Sequence, residues 1–180
     1  MFLVGICCFF GHRQIFNKQI VRERLYTLVE ELIKKGCNKF LIGTHGDFDS
    51  IALSVCRELR KKYDIKITVV FTSLARITKT KDCDVSDADL YKDCETLIYN
   101  IEEQHFKNQI TYSNQRMIDN SDCVICYVDE SKSISGAKKA MKYALKNKKE
   151  VKNLFIESDN PTYGMNNEEK QDFWKQIFNK

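Results

Sequence analysis

Residues 3–13 read Leu-Val-Gly-Ile-Cys-Cys-Phe-Phe-Gly-His-Arg. The uninterrupted apolar run from Leu3 to Phe10 is typical of a strand that is buried on both faces, because a strand with one wet face alternates apolar and polar residues. A glycine and two basic residues follow the run directly. We therefore expect a central strand of a parallel sheet that ends in a polar loop.

Helix and strand patterns alternate along the rest of the chain. Apolar residues at helical spacing from Val21 to Leu32 predict a helix over 17–35, which ends before Gly36. Further strands are predicted over 39–42, 65–71, 96–99, 123–128 and 151–156, with helices after Asp49, near 113–120 and after Gly136. This alternation predicts an α/β, Rossmann-like three-layer fold with a mainly parallel sheet covered by helices on both faces.

A break at Pro161 divides the chain. We expect a main domain over 1–157 and a C-terminal aromatic helical appendage over 158–180. Asn166 and Glu169 have the spacing of a capping box, which predicts that a helix begins there. Its aromatic stripe, from Phe173 to Phe178, either docks on the parent domain or forms a dimer contact.

Composition excludes several classes of protein. The net charge of +4 is too small to indicate a nucleic-acid partner by itself. Residues 2–10 follow no basic segment and are too few to span a bilayer, so we expect a cytoplasmic protein with no membrane partner. Its 8 cysteines would then be reduced thiols. Cys123 and Cys126 form a CxxC, but positions i and i+3 of a strand face opposite ways, so we expect no metal site and no cofactor.

Three loops that follow strands are the candidate ligand contacts: residues 11–13, 43–49 and 129–136. The carboxyl ends of parallel strands lie at the same edge of a sheet, and ligands bind there. His12 and Arg13 suit a phosphate or a carboxylate, although such a pair is also common as a solvated surface. The polar stretch 72–93 is long for a connection and is a candidate lid.

The other two loops precede helices. Gly43 and Gly46 permit close approach of the backbone, and Asp49 is suited to cap the next helix, whose first N–H groups could hold an anion. Alternatively, Asp47 and Asp49 accept hydrogen bonds from ribose hydroxyls, or the loop is an ordinary turn. Ser133, Ser135 and Gly136 form either a phosphate-binding nest or a simple helix cap.

Three stretches together resemble a known family. They are residues 8–13, which end in Gly-His-Arg, residues 43–52, and residues 114–122 followed by 127–128 and 135–137. In this order they resemble the SLOG superfamily of Rossmann-like proteins, which contains LOG phosphoribohydrolases and DprA DNA-processing proteins. The likeness is to its small standalone YpsA-like branch.

The resemblance implies a pocket for a nucleotide-derived small molecule, such as an ADP-ribose or cyclic-ADP-ribose-like signal, that the protein senses or sequesters. Some SLOG modules act in phage defence, and relatives commonly form homo-oligomers such as homodimers. The implied ligand-binding residues are Gly11, His12, Arg13, Gly43, Thr44, Gly46, Asp47, Phe48, Asp49, Asn114, Ser133, Ser135 and Gly136.

Two alternative functions follow from comparison with the LOG enzymes and with DprA. LOG enzymes place a catalytic glutamate after their glycine loop, whereas Ala137, Lys138 and Lys139 follow Gly136 here. The first alternative is an N-glycosidase or phosphoribohydrolase, which releases a base from a nucleotide or an NAD-like substrate. In that case Asp49 or Asp47 would supply the catalytic carboxylate. A DNA-associated role, by analogy with DprA, is disfavoured by the small net charge.

Overall fold

A computed structural model describes residues 5–72, 87–99, 106–131, 135–162 and 164–178. Within them, six parallel strands form one sheet in the order β4-β3-β2-β1-β5-β6. The chain adds strands outward from β1 to β4 and then crosses to the other side of β1. The order of strands therefore reverses between β1 and β5, which are hydrogen-bonded neighbours.

The strands are β1 (Ile6–Gly11), β2 (Lys39–Ile42), β3 (Lys66–Phe71), β4 (Glu95–Ile98), β5 (Cys123–Tyr127) and β6 (Glu150–Asn153). The helices are α1 (Lys18–Lys34), α2 (Asp47–Arg60), the single turn α3 (Asp87–Leu90), α4 (Phe106–Asp119), α5 (Gly136–Lys146) and α6 (Asn167–Phe178). A 3-10 turn covers Glu157–Asp159.

Alternate residues of the central strands point to opposite faces of the sheet, and each face has its own core. Cys7 and Phe9 pack with the buried residues of α1 and α2, whereas Cys8 and Phe10 pack with those of α4 and α5. These two cores confirm the predicted α/β, Rossmann-like three-layer arrangement. They also explain the uninterrupted apolar run, since both faces of β1 are covered.

The buried thiols follow the same alternation. Cys123 lies in the α1/α2 core and Cys126 in the α4/α5 core, as predicted for positions i and i+3 of a strand. The cysteines in the described segments are all unpaired by disulfides. No helix in the same segments is long and apolar enough to cross a membrane.

Several predicted boundaries were wrong. Helix α4 begins at Phe106, well before the predicted start near Ser113, because polar residues separate Phe106 and Ile110, the first two apolar positions of the helix. Strand β6 ends at Asn153, not Ile156. Leu145, which helical spacing from Met141 assigns to the apolar face of α5, is 55% exposed. Of the candidate lid at 72–93, residues 73–86 lie outside the described part of the chain, and α3 occupies 87–90.

The segment after β6 is fixed to α1. Asp159 is buried and accepts two hydrogen bonds from Arg24, at 2.8 and 2.9 Å. The predicted capping box is present before α6, since the Asn166 N–H donates to Glu169 and the Glu169 N–H donates back to the side chain of Asn166. Trp174 packs on Phe16, with ring centroids 5.3 Å apart, so α6 contacts the loop that precedes α1.

Candidate functional site at the switch in strand order

A cleft of about 390 Å³ lies beyond the carboxyl ends of β1 and β2, beside the point where the strand order reverses. Such a switch point is the usual ligand site of an open parallel sheet, because the loops on its two sides diverge and leave a crevice. The lining residues include Gly11, His12, Arg13, Gly43, His45, Asp49, Ile110, Asn114, Ser135, Gly136 and Ala137.

The loops around the cleft are tied together by backbone hydrogen bonds. The Asp129 N–H donates to His12 Nε2 at 2.8 Å, which joins the loop after β5 to the loop after β1. The Asp47 N–H donates to the Arg13 carbonyl at 3.0 Å, so the start of α2 is joined to the same loop.

Two glycines let these loops approach one another. A Cβ at Gly11 would overlap the Phe48 side chain, which is packed against it and stacked on Tyr127. A Cβ at Gly46 would lie 2.6 Å from the backbone Cα of Arg13. Both positions therefore exclude larger residues for packing reasons, and the packing keeps Arg13 beside the start of α2.

Asp47 and Asp49 lie in the same helical turn but have different partners. The Asp47 carboxylate binds Lys18 Nζ at 2.9 Å and accepts the Ile15 N–H at 2.9 Å. Although burial opposes the shift, these two contacts lower the pKa of Asp47. Asp47 is therefore a structural anion that holds the start of α1 against α2.

Asp49 instead lines the cleft. Its carboxylate accepts the His45 N–H at 2.7 Å and lies so close to Gly43 that a Cβ there would be 2.9 Å from Oδ2. Part of the residue is open to the cleft, but protein atoms surround the carboxyl. This burial raises the pKa of Asp49 to about 6, and the His45 hydrogen bond offsets the effect only in part.

A pH-dependent stability difference follows from Asp49. Between the usual pKa of an aspartate and 6, the folded chain binds more protons than the unfolded chain, so Asp49 makes stability fall as pH rises through this window. We expect Asp49→Asn to raise the free energy of unfolding at pH 7.5 by about 2 kcal/mol and to leave it nearly unchanged at pH 4. Urea unfolding of both proteins across this range measures the difference. If the two proteins differ in free energy of unfolding by the same amount at every pH, the raised pKa of Asp49 is contradicted.

The first turn of α5 lines the cleft with Ser135, Gly136 and Ala137. Ser135 caps this helix by accepting the Lys138 N–H at 3.1 Å, and no acidic residue occupies the first turn. The N–H groups of Gly136 and Ala137 precede the first helical hydrogen bond, so they are directed outward at the positive end of the helix. By contrast, α2 starts with Asp47 and Asp49, so its N-terminus does not favour an anion.

Of the residues that the sequence suggested as ligand contacts, the structure places some in the cleft and others elsewhere. It brings Gly11, His12, Arg13, Gly43, Asp49, Asn114, Ser135 and Gly136 into the cleft. Thr44 lines a neighbouring groove, and Phe48 is 1% exposed and belongs to the core. Gly46 and Asp47 serve loop packing, and Ser133 lies outside the described residues. Sequence reasoning missed Ile110, because the start of α4 was predicted too late.

Comparison with known families agrees with this arrangement. A family model described as the YspA SLOG family (YpsA) matches residues 7–160, which include all six strands except the first residue of β1, and the residues that line the cleft. The chain belongs to the SLOG family. Membership of the SLOG family is compatible with binding of nucleotide-related molecules. Among curated proteins, no match to the chain is found.

Across the segments of this SLOG protein that the structure describes, no three histidine, cysteine, aspartate or glutamate side chains come together as a metal-binding group. The polar groups that line the cleft include the side chains of His12, Arg13 and Asp49 and the backbone of Gly136.

Proposed function

We propose that this SLOG protein binds a phosphate-bearing nucleotide derivative in the cleft and acts by sensing or sequestering it. The observation that carries the proposal is the shared cavity of Arg13, Asp49 and Gly136, which come from three distant loops. Helix-start N–H groups and an arginine recognise phosphate, and a carboxylate recognises ribose hydroxyls. Together they match the two polar parts of a nucleotide.

Arg13 supplies the charged contact. Its side chain is exposed and forms no ion pair with any residue that the structure describes, so its guanidinium is available to a ligand. Asn114, from α4, adds a side-chain amide to the lining of the cleft. A ligand such as ADP-ribose or a cyclic form of it has the required phosphate and ribose groups.

The test is isothermal titration calorimetry with AMP, ADP, NAD, ADP-ribose and cyclic ADP-ribose. We expect at least one to bind, and we expect Arg13→Gln to weaken that binding by about tenfold or more, as for loss of a charge-assisted hydrogen bond. Lys35→Gln is the matched control, since it removes the same charge from an exposed residue at the C-terminal end of α1. Absence of binding at millimolar ligand, or equal losses in both variants, would overturn the proposal.

A second candidate function, hydrolysis of the N-glycosidic bond, is favoured by the raised pKa of Asp49. A carboxyl with a pKa of about 6 in a cleft is suited to donate a proton to a departing base. The first turn of α5 lacks the carboxylate that LOG enzymes place there. Chromatography of the same nucleotides after incubation would show free base, and Asp49→Asn would abolish its release. Unchanged nucleotides would reject the activity and leave binding as the function.

A further inference from the structure

Positive charge is concentrated in and around α5. Residues 131–149 contain seven lysines and no acidic residue, whereas the whole chain has a net charge of +4. The rest of the chain therefore has a net charge of −3. The small total charge conceals a strongly basic segment, and a local charge of this kind attracts anionic partners.

The packing of α5 directs most of this charge to solvent. The helix is buried through one side, which consists of Ala140, Met141 and Ala144. Four lysines occupy the opposite side at helical spacing, and we call them the lysine face: Lys138, Lys139, Lys142 and Lys146. Because the helix already has its apolar side in the core, the lysine face is presented by a fixed scaffold and needs no refolding to meet a partner.

Neighbouring groups do not neutralise the lysine face. Its three exposed members form no ion pair with any residue that the structure describes. Lys138 donates to the backbone carbonyl of Glu130, which is a neutral partner. On the side toward α4, the Asp119 carboxylate accepts the Tyr143 hydroxyl at 3.1 Å. Three lysines with open charge therefore remain on this surface.

An exposed leucine lies beside these lysines. Leu145 is 55% exposed, and Lys138 and Lys142 precede it by seven and three residues, which places the three side chains along one side of the helix. A leucine adds nothing to the binding of a nucleic acid, which uses phosphate contacts and aromatic stacking. It can enter the boundary between the headgroups and the acyl chains of a lipid layer. Lysines around an exposed leucine therefore favour a lipid surface over a nucleic acid.

We propose that the lysine face and Leu145 form a peripheral contact with an anionic lipid surface. The lysines supply electrostatic attraction to the headgroups, and Leu145 inserts between them while the buried side of α5 stays on the sheet. This inference does not depend on a ligand in the cleft. The expectation of no membrane partner came from the lack of a spanning segment, which a surface contact does not require.

The test is co-sedimentation with vesicles at physiological ionic strength. One set contains phosphatidylcholine alone, and the other contains equal parts of phosphatidylcholine and phosphatidylglycerol. We expect binding to the anionic vesicles only, and we expect it to weaken as salt is added. Each lysine near an anionic surface raises the partition constant about fivefold, so Lys142→Gln/Lys146→Gln should lower it about thirtyfold. Leu145→Ala should lower it about fivefold.

The matched control is Lys35→Gln/Lys61→Gln, which removes the same charge from exposed lysines at the ends of α1 and α2, on the other face of the sheet. Equal losses in the two double variants, or equal binding to both kinds of vesicle, would overturn the proposal, as would no binding to either. An unchanged partition constant in Leu145→Ala would overturn the insertion of the leucine. If the protein binds a single-stranded oligonucleotide through Lys142 and Lys146 but binds no vesicle, the surface contacts nucleic acid and the lipid contact is rejected.

Discussion

Gly136→Asp is expected to abolish ligand binding without weakening the fold. A Cβ at Gly136 would meet no atom within 4 Å, so the side chain fits. A carboxylate in the first turn of α5 would interact favourably with the helix dipole, by about 0.3–1 kcal/mol. The same carboxylate would lie against the bound phosphate, and like charges in contact cost several kcal/mol. Affinity should therefore fall by at least about a hundredfold.

Gly136→Asn is the matched control, because its side chain has nearly the same shape and carries no charge. We expect it to lose much less affinity, since only steric and solvation effects remain. Urea unfolding would show that both variants are at least as stable as the unmodified protein, and calorimetry would give the affinities. Equal affinity losses in the two variants would show that charge at the start of α5 is not what the ligand contacts.

The order of strands and loops was largely predictable from sequence. Continuous apolar runs identified the buried strands, and parallel topology then required the loops after β1, β2 and β5 to lie at one edge of the sheet. This reasoning placed Arg13, Asp49 and Gly136 near one another, and they line one cleft. General rules of topology carried this inference, and no side-chain detail was needed.

The direction of individual side chains was less predictable. Phe48 was included among the ligand residues by the family resemblance, and the structure places it at the beginning of the buried stripe of α2, with Ala52, Val55 and Leu59 at helical spacing. That periodicity was the available signal. Nothing in the sequence distinguished Asp47 from Asp49, since the difference depends on Lys18, which reaches Asp47 from another helix.

A second groove, of about 790 Å³ along α2, was missed for a different reason. Its walls come from α1, α2 and the end of α3, and beyond residues 43–52 they carry no recognised motif. Helices α1 and α2 pack on the same face of the sheet, so Arg22 and Glu58 meet although they are far apart in the sequence. Such a surface becomes visible only when the packing of the helices is known.

Gly11→Ala is expected to have the largest effect on stability. The added methyl group would overlap the Cβ and Cγ of Phe48 and lie 2.6 Å from its Cδ1. Phe48 also stacks on Tyr127, the residue paired with Gly11 in β5, with ring centroids 6.0 Å apart. It is 1% exposed, so the ring has little room to move. Overpacking of this kind costs about 1–3 kcal/mol or more, and urea unfolding would measure it.

Gly136→Ala is the control for Gly11→Ala, because the same methyl group enters open space there and should leave stability unchanged or slightly improved. A double-mutant cycle with Phe48→Ala isolates the cause. Once the ring is removed, Gly11→Ala should cost at least about 1 kcal/mol less than in the unmodified protein. If the stability costs of Gly11→Ala and Phe48→Ala are additive in the double mutant, the strain arises elsewhere. Because Phe48 and Asp49 are adjacent in α2, displacement of the ring would also move the Asp49 carboxyl that lines the cleft.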